Sequence, residues 1–394
     1  MKIMERIDGK AEEYREELIS LVQRLVRIKT ISGDKEKLSE IGHVLSEEMK
    51  SIGFSVGILE AEEGLPNVVG RYEGSKDAPR LLFNGHTDVV PVQNTDSWIA
   101  DPFSAEIRDG RIYGRGACDM KGGLAAMIVA SKVVMSLFPG YRGNLIMTAT
   151  VDEEIGGFTG MKHIVEQGVT GDMGIVCEPS DFMITNVCKG LLWLRLKTKG
   201  KSAHGSMPWL GINAIFKMSK ILKGLETYEF DIPPHEMLGS PTINVGTIKG
   251  GLKPNVIPDL CEAEIDVRYL PGQRYQDVIE EIKKEINRIK DVDPQIDAEI
   301  ELIRYRSSVE IKKDEKIVEL IAGALKEATG REALYKGMPS PGDSEYLVHG
   351  GIPSVMFGPG SEDLCHVDNE WISIDDLMTA VKVYALIMAR AQPN

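Results

Sequence analysis

The chain has 394 residues, 42% hydrophobic and 27% charged, a composition that excludes a disordered or fibrous protein and is long enough for two cores. Sixty acidic residues against 46 basic ones leave a formal charge of −14, which argues against nucleic acid or an anionic membrane as partner, since both select a basic face.

The N-terminal stretch MKIMERIDGKAEEYREELISLVQRLVRIKT reads as an amphipathic, charge-rich helix without the apolar core of a signal peptide. No stretch approaches 18 uninterrupted apolar residues, so a cytoplasmic location is the expectation. Cysteines at 118, 177, 188, 261 and 365, odd in number and with no C-x-x-C pair, make no disulfide framework and are expected as reduced thiols.

Short apolar runs follow, RLLFN at 80–84, NLIMTATV at 144–151 and GDMGIVC at 171–177, separated by helical segments such as 120–138. Continuous apolar strands joined by helices predict an α/β domain with a mostly parallel sheet and helices on both faces. From about 190 to 303 the strands LLWLRLKTKG, SPTINVGTIKGG and DLCEAEIDVRYL alternate in and out, with helices at 211–225 and 274–290. That is the pattern of a smaller α+β domain with two helices on one face of an antiparallel sheet. After 304 the first style returns: a helix at 313–328, a strand IPSVMFG at 352–358 and a helix at 374–391. A discontinuous domain of 1–189 and 304–394, interrupted by an inserted one of 190–303, accounts for the order.

Candidate metal ligands sit at or after the ends of the apolar strands. His86 and Asp88 follow RLLFNG, Asp119 lies in YGRGACDMKGG, Glu153 and Glu154 end NLIMTATVDEE, Glu178 ends MGIVCEP, and His366 lies in FGPGSEDLCHVDNE. Carboxyl ends of strands in open α/β sheets are where ligands collect. Two imidazoles and several carboxylates without clustered thiols suit zinc, cobalt or manganese and hydrolytic chemistry. Singly, each has a plainer reading: Asp119 as a helix N-cap, Glu153 and Glu154 as a solvated strand end, His366 as a surface or core histidine.

Taken together, the stretches GHTDVVPV, Trp98 with DPF, YGRGACDMKGG, VDEEIGG, CEPS, GKSAHGSMPWLGINAI, KPNVIP with DVR downstream, and FGPG followed by His366 resemble the M20 metallopeptidases, the acetylornithine deacetylase, succinyl-diaminopimelate desuccinylase and carboxypeptidase G2 group. The resemblance runs in order over about 84–370. It implies a catalytic domain of 1–189 and 304–394 and a lid and dimerisation domain of 190–303. It also implies two divalent ions, zinc first and cobalt or manganese as alternatives. Asp119 would bridge them, His86 and Glu178 would complete one, and Glu154 and His366 the other. Glu153 would be the general base for a water between the ions. Asp88, two residues beyond His86 on an extended segment, is expected to accept the second ring N–H of His86 through its carboxylate.

In the inserted domain, His204 resembles a histidine that donates to the oxyanion, commonly from the partner subunit of a dimer. Asn255 and Arg268 match positions that contact substrate, Arg268 being suited to bidentate capture of a carboxylate. Gly358 and Gly360 would let the backbone approach the ligand, or serve only the turn before His366. Cys118, Cys177 and Cys365 each precede a proposed ligand and are read as small buried residues. GRGACD begins like a dinucleotide-binding glycine pattern but has Asp119 where the third glycine belongs, so that reading is discarded.

The implied activity is hydrolysis of the amide of an N-acyl amino acid, in the manner of an acetylornithine deacetylase, by a homodimer. A carboxypeptidase or dipeptidase of the same group is the alternative, as is a desuccinylase, although Pro341 in SPGD departs from the threonine of that subgroup. A non-catalytic binding relative would lack a base or ligand, and none of the seven is missing. A serine hydrolase would need a G-x-S-x-G elbow, which the chain lacks.

Overall fold

The computed structural model describes residues 3–393, so residues 1, 2 and 394 of the predicted catalytic segments lie outside the described residues. The chain divides into two compact units. The larger takes the chain up to Asn186, Ile311–Lys336 and the chain from Gly342 on; the smaller takes Val187–Glu310 and Gly337–Pro341.

In the larger unit the sheet places Ser55–Glu60, Pro66–Tyr72, Asn144–Thr150, Arg80–His86, Met173–Val176, Ser354–Met356 and Ile184–Cys188 side by side in that order. The four central strands, from Asn144–Thr150 to Ser354–Met356, are mutually parallel, and the flanking pairs are antiparallel. The fold is α/β as expected, but "mostly parallel" describes only the centre. The connection between Glu60 and Pro66 is a short hairpin, which can join only antiparallel strands.

Gly122–Leu137 is mostly apolar, and together with the turn before it, as Ala117–Leu137, it is the one helical stretch among the described residues long and apolar enough by composition to cross a membrane. It is buried instead, against Ile374–Arg390 and the sheet. Lys35–Ile52 starts where the Asp34 side chain accepts the Lys37 N–H at 3.2 Å and stops at Gly53, whose φ of 100° few other residues adopt. Ser373 caps Ile374–Arg390 through the Asp376 N–H, with Asp375 and Asp376 at the positive end of the helix dipole.

The smaller unit is an antiparallel sheet in the order Thr242–Gly250, Leu260–Tyr269, Gly190–Lys199, Asp297–Arg306. Leu192, Leu194 and Leu196 alternate inward to meet Met218, Ile221, Val278 and Ile282 of the helices Ala214–Glu226 and Tyr275–Val292.

Candidate active site

The four central strands end level with one another. His86 is paired with Thr150, Asn84 with Val176, and Val176 in turn with Met356. The segments leaving these strands therefore start from one edge of the sheet, its carboxyl edge. Asp119 arrives from the side, in the kinked turn Ala117–Lys121 that leads into Gly122–Leu137. Its φ of −114° is not helical and the helix cap falls at Lys121, so Asp119 is not the N-cap.

His86 Nε2 lies 2.9 Å from Asp119 Oδ1 and 3.7 Å from Glu178 Oε1. His366 Nε2 lies 3.3 Å from Asp119 Oδ2 and 2.8 Å from Glu154 Oε2. Asp119 thus turns one carboxylate oxygen toward each imidazole. Donor atoms of His86, Glu153 and Glu178 fall within 4.8 Å of one another, as do those of His86, Asp119 and Glu154.

The local field is strongly negative. Burial works against charge on His86, but the Glu178 charge and the hydrogen bond with Asp119 hold its pKa well above the usual histidine range. Hydrogen bonds to Asp119 and Glu154 push His366 up to about 10. Burial first, and then the Asp119 charge, raise Glu154; burial also raises Glu178, helped by the charges of Asp119, Glu153 and Asp343.

These residues fit a divalent cation. Glu154 Oε1 is buried with no hydrogen-bond partner among the described residues, an arrangement that costs about 1–3 kcal/mol unless something positive meets it. The donors are imidazole nitrogens and carboxylate oxygens, which zinc, cobalt and manganese all accept. His366 also holds a φ of 64°, a left-handed conformation uncommon outside glycine though less so for histidine than for most residues.

Asp88 corrects one expectation. His86 Nδ1 is 2.9 Å from the Asp88 carbonyl oxygen, while the Asp88 carboxylate stands 3.6 Å off. A carbonyl only accepts, so Nδ1 carries a proton and Nε2 faces the carboxylates, as a ligand nitrogen must. The Asp88 carboxylate is engaged elsewhere: it accepts from Ser32 Oγ at 2.7 Å and from the backbone N–H groups of Glu153 at 3.2 Å and Glu154 at 3.3 Å. The backbone bend after His86 brings the carbonyl to the ring, and the tight turn Glu153–Ile155 offers two amides to the side chain.

In the smaller unit His204 is exposed. Its Nδ1 accepts the Ser206 N–H at 3.2 Å, which leaves the ring proton on Nε2 as a donor. Asn255 adjoins it, through the Gly205 N–H to the Asn255 carbonyl at 2.8 Å and the pairing of His204 with Val256. Arg268 is not with them. That corner begins where Gly200 meets Asp259, whereas Arg268 pairs with Leu191 at the other end of Leu260–Tyr269, eight residues beyond Leu260 and about 26 Å from it at ~3.3 Å per residue. There Arg268 forks onto Asp266 at 2.7 and 3.0 Å.

Gly358 and Gly360 pack against protein. A Cβ on Gly358 would come within 2.6 Å of the Cys177 and Glu178 carbonyl oxygens, and one on Gly360 within 2.5 Å of Cys118 Sγ. Their smallness lets the segment leading to His366 pass over the Glu178 loop. Cys118 and Cys177 are buried as expected, but Cys365 is only half-buried, its thiol and that of Cys118 both directed at the Ser361 carbonyl, at 3.7 and 3.4 Å.

Two residues at the site, Asp343 and Glu370, carry no directional signal in the sequence. Asp343, fully buried, accepts from Asn84 Nδ2 and Thr150 Oγ1, both at 3.1 Å, beneath the strand ends. Glu370, also fully buried, meets the loop that carries Asp119. The only sequence signal for either was an acidic residue beside a short apolar run, which carries no direction.

Peptidase family M20/M25/M40 matches residues 82–390. The chain belongs to that family. A deformylase of N-formyl-4-amino-5-aminomethyl-2-methylpyrimidine from Bacillus subtilis is 30% identical to this M20 chain, covering 96% of it and 95% of its own length. An acetylornithine deacetylase from Myxococcus xanthus is 32% identical, over 78% of this chain and 79% of its own. Among solved structures, an aminopeptidase from Bacillus cereus superposes with a TM-score of 0.78 at 21% identity, covering 96% of this chain and 98% of its own. A dinuclear metal-binding M20 peptidase from Bacillus subtilis does so with a TM-score of 0.72 at 18% identity, covering 97% and 99%. These two share the fold. As an M20 protein with a candidate metal cluster of imidazoles and carboxylates, the chain is a metal-dependent hydrolase.

Proposed function

We propose that this hydrolase removes a small acyl group from nitrogen, as a deacylase of N-formyl or N-acetyl substrates. Asp119, turned to both imidazoles at once, is the observation that carries the reading, because a shared carboxylate is what two adjacent metal ions require. The deformylase and the deacetylase, each at least 30% identical, both act on a one- or two-carbon acyl group, which favours this class over peptides.

His86 and Glu178 would hold one ion and Glu154 and His366 the other, with zinc the first choice. Bound there, the ions would supply Lewis acidity to the acyl carbonyl and the attacking water. Glu153, whose backbone N–H is fixed by Asp88, would take the proton from water and return it to the leaving nitrogen. His204 would donate its Nε2–H to the oxyanion, Asn255 would assist, and Arg268 would hold the far end of the substrate.

The separation of His204 and Asn255 from Arg268 supports a homodimer. The strand that separates the His204 corner from Arg268 is about 26 Å long from Leu260 to Arg268, more than one small substrate spans, so if all three residues touch it, a second copy supplies one set. The edge strand Thr242–Gly250 lies exposed, as do Trp209, Phe216 and Leu252 at 75, 66 and 95%, an edge and an apolar surface of the kind that pairing covers. The division of labour into a catalytic unit and a lid and dimerisation unit follows from the same reading.

The test is a screen of zinc- or cobalt-loaded protein against N-formyl and N-acetyl amines, N-acetylornithine among them, beside N-succinyl-diaminopimelate and dipeptides. Release of formate or acetate with dipeptides untouched is expected. Cleavage of dipeptides alone would overturn the deacylase reading, and sedimentation as a monomer at assay concentration would overturn the dimer.

A further inference from the structure

Glu370 contributes no ligand atom and no proton to the reaction proposed above, yet it is fully buried and fully engaged. Its Oε1 accepts the backbone N–H groups of Cys118 at 2.9 Å and Asp119 at 3.1 Å. Its Oε2 accepts from Arg115 Nη1 at 2.7 Å, and its carbonyl accepts the Gly114 N–H at 2.9 Å. Arg115 is buried as well, its guanidinium carbon 5.4 Å from the centre of the Trp98 ring.

The register that brings these groups together is a small antiparallel sheet in which Trp371–Ser373 pairs with Arg111–Tyr113. Glu370 precedes the first strand and Gly114 follows the second. A side chain four residues after His366 therefore grips the peptide that presents Asp119. A carboxylate is the group that can do this, since it accepts on both oxygens and carries the charge that the buried Arg115 requires.

We infer that Glu370, braced by Arg115, is a positioning residue for the metal centre: it fixes the Cys118–Asp119 peptide so that Asp119 faces His86 and His366 at once. The inference rests on the proposed reading of His86, Asp119, Glu154, Glu178 and His366 as metal ligands. Glu370→Gln is the mild probe. Its amide oxygen still accepts the two backbone N–H groups, but its NH2 confronts the Arg115 donor, so the brace alone is broken. Arg115→Lys attacks the same brace from the other side and serves should the first variant fail to fold.

Full-length wild type and both variants, stripped with a chelator and dialysed, are titrated with Co²⁺. Calorimetry gives affinity, the visible absorption of the cobalt-loaded protein gives ligand geometry, and melting temperature before metal addition gives fold integrity. Expected is a 10–100-fold loss of affinity for at least one ion and an altered cobalt spectrum, at a melting temperature close to wild type. Wild-type affinity and spectrum in the variants would overturn the inference, as would a loss of affinity in proportion to lost melting temperature. Failure of the wild type itself to bind Co²⁺ would instead bring down the ligand reading, and the inference with it.

Discussion

The two units use the same acidic and basic side chains to opposite ends. On the outer face of the smaller unit's sheet, Arg195 meets Glu264 and Glu301, Lys197 meets Glu262 and Glu301, and Lys199 meets Glu299, all substantially open to solvent. Each basic side chain there has an opposite charge across the strands, so the ladder satisfies itself in solvent and asks for nothing more. At the carboxyl edge of the larger sheet, four carboxylates crowd two imidazoles, a carboxylate oxygen is left buried without a partner among the described residues, and His366 is driven up to about 10. Charge that is not balanced by the chain marks the place where something from outside belongs.

If that contrast is right, substitutions of equal chemical size should differ greatly between the units. Asp119→Asn should have the largest effect: with the shared carboxylate neutralised, both halves of the cluster lose affinity for divalent ions, and metal analysis after dialysis should find neither ion retained. Two ions kept by this variant would end the bridging role. Glu153→Gln comes next. It should keep its metal if Glu153 is the base of the proposed function and not a ligand, while turnover falls about 10²–10⁴-fold. A near wild-type rate would remove Glu153 from that role. Lys199→Ala in the ladder should leave both activity and melting temperature unchanged within error, because exposed pairs of this kind contribute little.

How far the sequence reveals this contrast depends on the distance over which a residue acts. Candidate ligands were legible because they stand at the ends of apolar runs, and parallel strands bring such ends together whatever the loops do. The alternation in LLWLRLKTKG likewise announced the antiparallel unit. Glu370 and Asp343 were not legible: each acts across roughly 200 residues or more, and only the final register decides what a buried acid meets. Asp88 shows a subtler limit. That it would orient His86 could be foreseen, but whether the carbonyl or the carboxylate does so is set by a backbone bend that no side-chain pattern encodes. The edge strand Ser55–Glu60 escaped notice because, mostly exposed, it carries almost no apolar alternation. The length of chain between the His204 corner and Arg268 is countable in the sequence from 260 to 268, since DLCEAEIDVRYL alternates without a break.

Gly358→Ala separates packing from chemistry within the larger unit. The added methyl would have to displace the Cys177 and Glu178 carbonyls, so about 1–3 kcal/mol of stability should be lost, with weakened metal binding if the shift carries Glu178 along. Thermal melts with and without zinc measure both. An unchanged melting temperature would mean that the two segments stand further apart than described.

The smallest effect expected is a pH dependence in the other unit. Lys217 and Lys220 hold Asp293 down to about 2, against roughly 3.9 for an aspartate in an unfolded chain. A depressed acid stabilises the folded state at every pH above the unfolded value and ceases to do so as pH falls through the folded one, because below both values each state binds the same proton. The advantage of wild type over Asp293→Asn in melting temperature should therefore be constant above about pH 5 and shrink steadily toward about pH 2. A difference that stayed flat over that window would show that the two lysines do not favour the charged form of Asp293, and the balanced character assigned to this unit's ion pairs would then fail at its most enclosed member.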